Sequence, residues 1–307
     1  MQIPSSSPRL AAPPPGLPAS LVSYYGTEYY EMRQATSNQK ADAYGETPKV
    51  MTAGSQTLLR GLDVIEAVAE APLALADLAA TLGLTRSTAH RLASALVERG
   101  YLAFVPRGGY QLGPKLLALG FHAQEQIDLV QLARPHLEAL AAASEDTVHL
   151  GVRDGERALY LAKVPGRRRI DISSRVGERQ PLTSTGLGKA LQIDGEPPMW
   201  RRLFDQDQAA GSPPADYPVW LERMTGYAEV GRAFDLEENE DAIRCVAAPI
   251  RDASGAIVAA ISVSSAAQYM SDERMEALSG EVIGAAEEIG RELGWSPGKT
   301  ARPARRR

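Results

Sequence analysis

The sequence predicts an α+β protein in two unequal parts: a small helical unit ending in a β-hairpin, then a larger domain of strands and helices. Three observations carry that expectation. Apolar residues recur at three- and four-residue steps in three short stretches between Ser55 and Glu98. Two short β-prone runs then flank Arg107-Gly108-Gly109. Beyond a helical connector, alternating runs pair across hairpin-turn signals, with helical stretches grouped at the ends.

In the first part, Leu58, Leu62, Ile65 and Ala69 form one face of a helix that Pro72 is expected to end. Leu75, Leu78, Ala79 and Leu82 form a second, stopped by Gly83 as a left-handed cap, with Leu84 tucked behind it. Thr85 is a good N-cap for a third, whose buried stripe is Ala89, Leu92 and Leu96 and which Gly100 stops. Tyr101–Val105 and Tyr110–Leu112 make the hairpin. Three helices followed by a hairpin are the order of a winged helix-turn-helix.

The apolar stripe fixes the opposite face of the third helix. After Thr85, that face holds Arg86, Ser87, Thr88, His90, Arg91 and Ser94, donors and small polar groups that reach phosphates and base edges in a major groove. The first turn also presents backbone N–H groups, which suit a phosphate. Arg107 at the hairpin tip is placed for the DNA backbone or the minor groove, and Gly108 and Gly109 let the tip turn tightly. Arginine and serine also populate ordinary solvated faces. Moreover, Asp63, Glu66, Glu70, Asp77 and Glu98 bring the 52–112 block near charge balance. The DNA-binding reading therefore rests on distribution: this face has no acid before Glu98.

Pro114 to about Gln126 reads as a linker helix, with Leu116, Leu117, Leu119 and Phe121 apolar on more than one side, as in a core or a dimer contact. In the second part a helix over Val130–Ala143 precedes strands at Thr147–Val152 and Leu159–Val164, joined at Asp154-Gly155. Ile170–Ser174 alternates as a further strand. Cys245–Ile250 and Ala256–Ser264 pair across Asp252-Ala253-Ser254-Gly255, and Ser271 caps a last helix through Leu293. The expected organisation is a disordered, Pro-rich tail over 1–51, the winged helix-turn-helix over 52–113, the linker helix over 114–126, the α+β domain over 127–296 and a basic tail over 297–307.

Bulk properties narrow the function. The chain has 307 residues, a formal net charge of −5 and 44% hydrophobic residues, enough for a sizeable core. A negative total does not exclude DNA, because the field at the contact face decides. The single cysteine, Cys245, precludes a disulfide within the chain and fits a cytoplasmic protein. No stretch reaches the ~18 apolar residues a membrane helix needs. His90, His122, His136 and His149 have no metal-ligand spacing, so no metal and no cofactor is expected. An enzyme with Cys245 as nucleophile beside His149 is the rival reading, but a thiol inside an apolar strand is ordinarily inert. The phosphate-loop look of TGLGKA also fails. Thr183 stands where the first glycine belongs and Ala190 where the Ser/Thr belongs. No catalytic constellation survives, and the expectation is a protein that is not an enzyme.

Three stretches in order, LADLAATLGLTRSTAHRLASALVERGYL, SRVGERQPLTSTGLGKAL and GYAEVGRAFDLEENEDAIRCVAAPIRDASGAIVAAISVS, resemble the IclR family of transcriptional regulators. The resemblance spans about Gln56 to Leu293. The run DTVHLGVRDGERALYLAKV is most similar to the branch with the 2-keto-3-deoxygluconate repressor. The resemblance implies a GAF-like C-terminal domain, a homodimer or dimer of dimers on double-stranded operator DNA, and a small organic acid as effector. It implies a ligand-responsive regulator, a repressor of a catabolic operon, with a sugar acid as effector. An aromatic acid, or a 2-oxo acid such as glyoxylate or pyruvate, is the alternative. Matching motifs carries the effector site onto Gly186 and Leu187 through their backbone N–H groups, and onto Asp235, Ile243, Cys245, Ser262, Ser264 and Ile172. Leu187 departs from the small residue usual there, which leaves pocket volume and ligand size open. Plainer roles stand beside these. Ser262 and Ser264 alternate with Ile261 and Val263 and would also suit a solvent face, Cys245 a small buried hydrophobe, and Thr183–Thr185 a helix cap. Arg167, Arg168 and Arg169 beside the site read as a solvated basic run.

Overall fold

The computed structural model describes residues 53–168 and 172–297. The expectations for the tail over 1–51, for residues 298–307 and for Arg169 lie outside the described residues. The chain divides into two compact units between Ala118 and Leu119, inside the connecting helix.

The first unit holds α1 (Ala53–Ala67), α2 (Leu75–Thr81), α3 (Arg86–Glu98), β1 (Leu102–Val105) and β2 (Gly109–Leu112). Its core is Val64, Val68, Leu78, Leu92, Ala93, Leu102 and Tyr110. Gly83 takes φ +60°, and the Leu84 N–H donates to the Ala79 carbonyl at 2.9 Å, the left-handed cap expected between α2 and α3. Contrary to expectation, α1 stops at Ala67 and not at Pro72. The chain must straighten early, because Leu73 pairs with Tyr110 through two backbone bonds of 2.9 and 2.8 Å. That bridge explains Gly109, where a Cβ would lie 2.3 Å from the Leu73 carbonyl oxygen.

α4 (Pro114–Glu125) has no buried residue, and Leu117 and Phe121 are 79% and 60% exposed.

The second unit contains α5 (Leu129–Ser144), β3 (Thr147–Asp154), β4 (Arg157–Val164), β5 (Arg179–Pro181), α6 (Gly186–Leu191), α7 (Pro197–Ala209), α8 (Tyr217–Val230), β6 (Ala233–Leu236), β7 (Ile243–Arg251), β8 (Ile257–Ala266) and α9 (Asp272–Glu292). Its strands form one antiparallel sheet in the order β5-β4-β3-β8-β7-β6. Side chains alternate across a strand, so Val148, Leu150, Val246, Ala248, Ile261 and Val263 share one face. α5 and α9 pack there. Thr147, His149, Cys245, Ala247, Ser262 and Ser264 share the other, where α6 packs.

One strand expectation is corrected. Within Ile170–Ser174, the described residues Ile172–Ser174 form no strand. They are an irregular strap held by side chains, with Lys163 Nζ donating to the carbonyls of Ile172 at 2.6 Å and Ser174 at 2.9 Å. Ile172 and Ser174 are buried and Ser173 is exposed, so the alternation was real but arose from lying over the sheet. The strand at the edge beside β4 is instead β5, three residues paired with Arg157–Leu159. Helices α7 and α8 were not anticipated.

Candidate functional site

Two surfaces carry chemistry. On α3, Thr85 caps the helix by accepting the Thr88 N–H at 3.2 Å, and its hydroxyl donates to Thr88 Oγ1 at 2.9 Å. Ala89, Leu92 and Ala93 face the core. Arg86, Ser87, His90, Arg91 and Ser94 are exposed and Thr88 is half-buried. At the hairpin tip, the Gly108 N–H donates to the Val105 carbonyl at 2.9 Å, with Pro106 and Arg107 between. The left-handed positions are Arg107, at φ +66°, and Gly109, not Gly108. A non-glycine residue held there is strained backbone, and it puts an exposed guanidinium at the apex.

The second surface is the polar sheet face. Register aligns Asp235, Cys245, Ser264 and Thr147 in one row across β6, β7, β8 and β3, and Ala247, Ser262, His149 and Lys163 in the next. Asp235, Cys245, Ser262, Ser264 and Ile172 are all buried and Ile243 is half-buried. Ser262 and Ser264 therefore do not face solvent. The segment carrying Gly186 and Leu187 is the capped start of α6. Thr185 Oγ1 accepts the Gly188 N–H at 3.0 Å, and Gly186–Leu191 are wholly buried. A Cβ on Gly186 would lie 2.4 Å from Cys245 Sγ, so only glycine lets this helix reach the sheet. Leu187 presses its side chain against Gly151.

Polar ties hold α6 in place. The buried Lys189 ammonium donates to the Phe234 carbonyl at 2.9 Å and pairs with Glu238, which Arg223 also binds at 3.1 Å. The Ser184 hydroxyl donates to Asn239 at 2.8 Å. Asp207 accepts both the Thr183 N–H and hydroxyl and faces Arg157. His149 Nε2 lies 2.8 Å from the Ser174 hydroxyl, tying the strap to the sheet, and its Nδ1 is 3.5 Å from Ser264. Arg168 is no free solvated charge: it faces Glu145 and the buried Asp146, and stacks 4.9 Å over Tyr269.

Burial dominates the electrostatics. It pushes the Asp235 carboxyl up to about 7, with the Lys189 ammonium opposing. It pushes the Cys245 thiol up to about 12, helped by Asp235, and holds His149 down at about 3, with Lys163 adding to the effect. A thiol that stays protonated and an imidazole that stays neutral, on strands separated by β8, are no nucleophile–base pair.

One atom stands apart. The Ser262 hydroxyl is fully buried and has no hydrogen-bond partner among the described residues. Neighbours the sequence reading missed are Thr147, Tyr160, Lys163, Ser174 and Lys189. Period-two alternation marked the first three, but only the β3–β4 and β3–β8 pairings put them on the face that carries Ser262. Among the described residues no cluster suits a metal ion, and no helix is long and apolar enough to cross a membrane.

Residues 121–291 match the family described as bacterial transcriptional regulator IclR C-terminal, and residues 57–106 match the IclR helix-turn-helix domain. The chain is 30% identical over 257 residues to the DNA-binding transcriptional repressor YiaJ of Escherichia coli, covering 81% of this chain and 91% of that protein. It is 27% identical over 249 residues to the regulator KdgR of the same organism, covering 78% and 93%. Among solved structures it is similar to the Agobacterium tumefaciens repressor BlcR, at 28% identity and TM-score 0.64, covering 78% of this chain and 97% of that one. These identities are too even to single out the KdgR branch.

Proposed function

The chain belongs to the IclR family of bacterial transcriptional regulators, and from that premise we propose that it is a repressor released or engaged by a small organic acid bound on the polar sheet face. It is an effector-responsive, DNA-binding regulator and not an enzyme. The rest is our reading. The sheet domain is GAF-like and the protein works in the cytoplasm as a homodimer or dimer of dimers, a state supported by the exposed apolar side chains of α4. The outward face of α3 enters the major groove of a double-stranded operator, and Arg107 reaches the flanking backbone or minor groove.

The observation that carries the effector site is the partnerless hydroxyl of Ser262. A buried polar group without a partner costs about 1–3 kcal/mol, which an oxygen-bearing occupant would offset. Ser264, Cys245, Asp235, Ile172, Ile243 and the Gly186–Leu187 backbone surround the same face. The effector class we favour is a sugar acid, because Ser262, Ser264 and Asp235 suit hydroxyl and oxo groups. An aromatic acid is the second reading, favoured by the buried side chains of Ile172 and Leu187.

Calorimetry on the purified protein with sugar acids, 2-oxo acids and aromatic acids tests this. Ser262→Ala and Ser264→Ala should weaken the best ligand by about 1.5–3 kcal/mol, roughly ten- to a hundredfold. Wild-type affinity in both variants overturns the site. On the DNA side, Arg86→Ala and Arg91→Ala should each lose about 1–3 kcal/mol of operator affinity with an unchanged melting temperature. Unaltered operator binding in both removes α3 as the reading helix.

A further inference from the structure

We infer that the basic segment 298–307 is a second DNA contact, a sequence-independent grip on the phosphate backbone that supplements the reading face of α3. The inference goes beyond the operator and effector readings above. The segment holds Lys299, Arg302, Arg305, Arg306 and Arg307 and no acid. Without these five cations, a chain of net charge −5 stands at −10. A body that negative repels a polyanion at long range, so the cations that offset it matter most where DNA approaches. A run of this composition recognises nucleic acid through charge and not through base edges.

The structure fixes where that segment starts. Helices α5 and α9 pack against each other in opposite directions. At one end Arg274, in the first turn of α9, donates to the Ser144 carbonyl at the end of α5 at 2.9 Å. At the other, His136 in the first half of α5 has its ring nitrogens 3.3 Å from Glu288 and 2.9 Å from Glu292, in the last turns of α9. The chain then turns at Gly294, φ +84°, and the Trp295 N–H donates to the Gly290 carbonyl at 2.9 Å, which closes the helix end. The segment therefore leaves from the end of the second unit at which the chain enters α5 from α4. Ten residues span up to about 33–36 Å, about twice the roughly 18 Å length of a 12-residue helix such as α4. The carboxylates at this root already face basic groups: Glu287 faces Arg291, Glu288 and Glu292 face His136, and Glu138 faces Arg134. A duplex, with one negative charge per ~1.7 Å of axis, is the stronger partner for five cations.

The test is fluorescence anisotropy of the 307-residue chain against two duplexes over a salt series, one selected by the wild type from a random-sequence library and one with the same bases scrambled. One variant combines Arg302→Gln, Arg305→Gln, Arg306→Gln and Arg307→Gln, and a second combines Arg→Lys at the same four positions. The Gln variant should bind both duplexes more weakly, with the slope of log affinity against log salt reduced by up to about 3–4 per chain. The ratio of the two affinities and the melting temperature should stay at their wild-type values. The Lys variant should match wild type throughout, because a phosphate grip reads charge. An unchanged slope in the Gln variant overturns the inference and leaves α3 as the DNA contact. A collapsed ratio makes the segment a base reader and overturns its sequence-independent role. A melting temperature several degrees lower shows that the segment packs on the fold, and overturns the inference as well. If the wild type binds neither duplex, DNA binding by α3 fails too, and this inference falls with it.

Discussion

Strand β8 carries Ile261 and Val263 on one side and Ser262 and Ser264 on the other, and all four are buried. The side under α5 and α9 is assembled from Val, Leu, Ile and Ala, where burial itself is the driving force. The side under α6 is assembled from Ser, Thr, Cys, His, Asp and Tyr, where each buried group needs a partner to break even. Most have one: Ser174 for His149, Asn239 for Ser184, Asp207 for Thr183. Ser262 does not, among the described residues. One face thus holds the domain together, while the other leaves a buried hydroxyl without a partner among the described residues, which the proposed effector would engage.

The largest expected effect breaks the apolar side. Leu150→Ala or Ile261→Ala, both fully buried, should destabilise the domain by about 2–5 kcal/mol through lost transfer energy and the cavity left behind. Ser264→Ala, on the opposite side and with only a 3.5 Å contact, should cost less than about 1 kcal/mol. Denaturant titration of the three variants measures the contrast. Equal losses would mean that the two faces do not divide the labour this way.

The next effect is a pH dependence that only the polar face produces. In the folded protein Asp235 titrates near 7, above its ordinary 3.8. The folded state therefore prefers the neutral carboxyl. The stability this gives is fully present below about pH 4 and is lost as the pH rises through 7. His149, held at about 3 against an ordinary 6.5, tilts the other way, with stability present above 6.5 and lost as the pH falls toward 3. Asp235→Asn removes the first contribution and keeps the second. Relative to wild type, the variant should gain stability between pH 4 and pH 8, by a margin on the order of 4 kcal/mol at most. Parallel melting curves across that range would place Asp235 in contact with solvent.

What the sequence revealed follows the same division. Apolar periodicity located α3, its buried stripe and hence its outward face, because 3.6-residue spacing needs no partner to be read. The β7–β8 hairpin was legible from its alternation and turn. α7 and α8 were legible in principle and were missed. Trp200, Leu203, Phe204 and Asp207 lie at steps of three and four, and Asp216 and Gly231 cap Trp220, Met224 and Tyr227. An aspartate on the first stripe, buried to hold Thr183, hides its period. The polar face was legible only residue by residue through family resemblance. Its order depends on β3 pairing with β8, more than a hundred residues away in sequence, and local pattern carries no such long-range register. The Ile172–Ser174 strap shows the converse: alternation records which side is covered and does not by itself show what forms the hydrogen bonds.

The smallest effect isolates the comparison in one residue type. Ser262 and Ser265 lie on the same strand, each 1% exposed, on opposite faces. Ser265 donates its hydroxyl at 2.6 Å to Asp146, a buried carboxylate that also receives Arg274. Ser262 donates to nothing among the described residues. Ser265→Ala removes one partner of a buried charged group and should lower stability by about 1–3 kcal/mol. Ser262→Ala removes a hydroxyl that was desolvated without compensation, so the ligand-free protein should hold its stability or gain up to about 1 kcal/mol. Thermal melts of the two variants without ligand decide the matter. A loss at Ser262 equal to that at Ser265 would show that its hydroxyl already has a partner in the ligand-free protein, and the case for an open recognition site on that face would lose its main support. The opposite result ties the two properties together: the hydroxyl that contributes nothing to the empty fold is the one left free to meet a ligand.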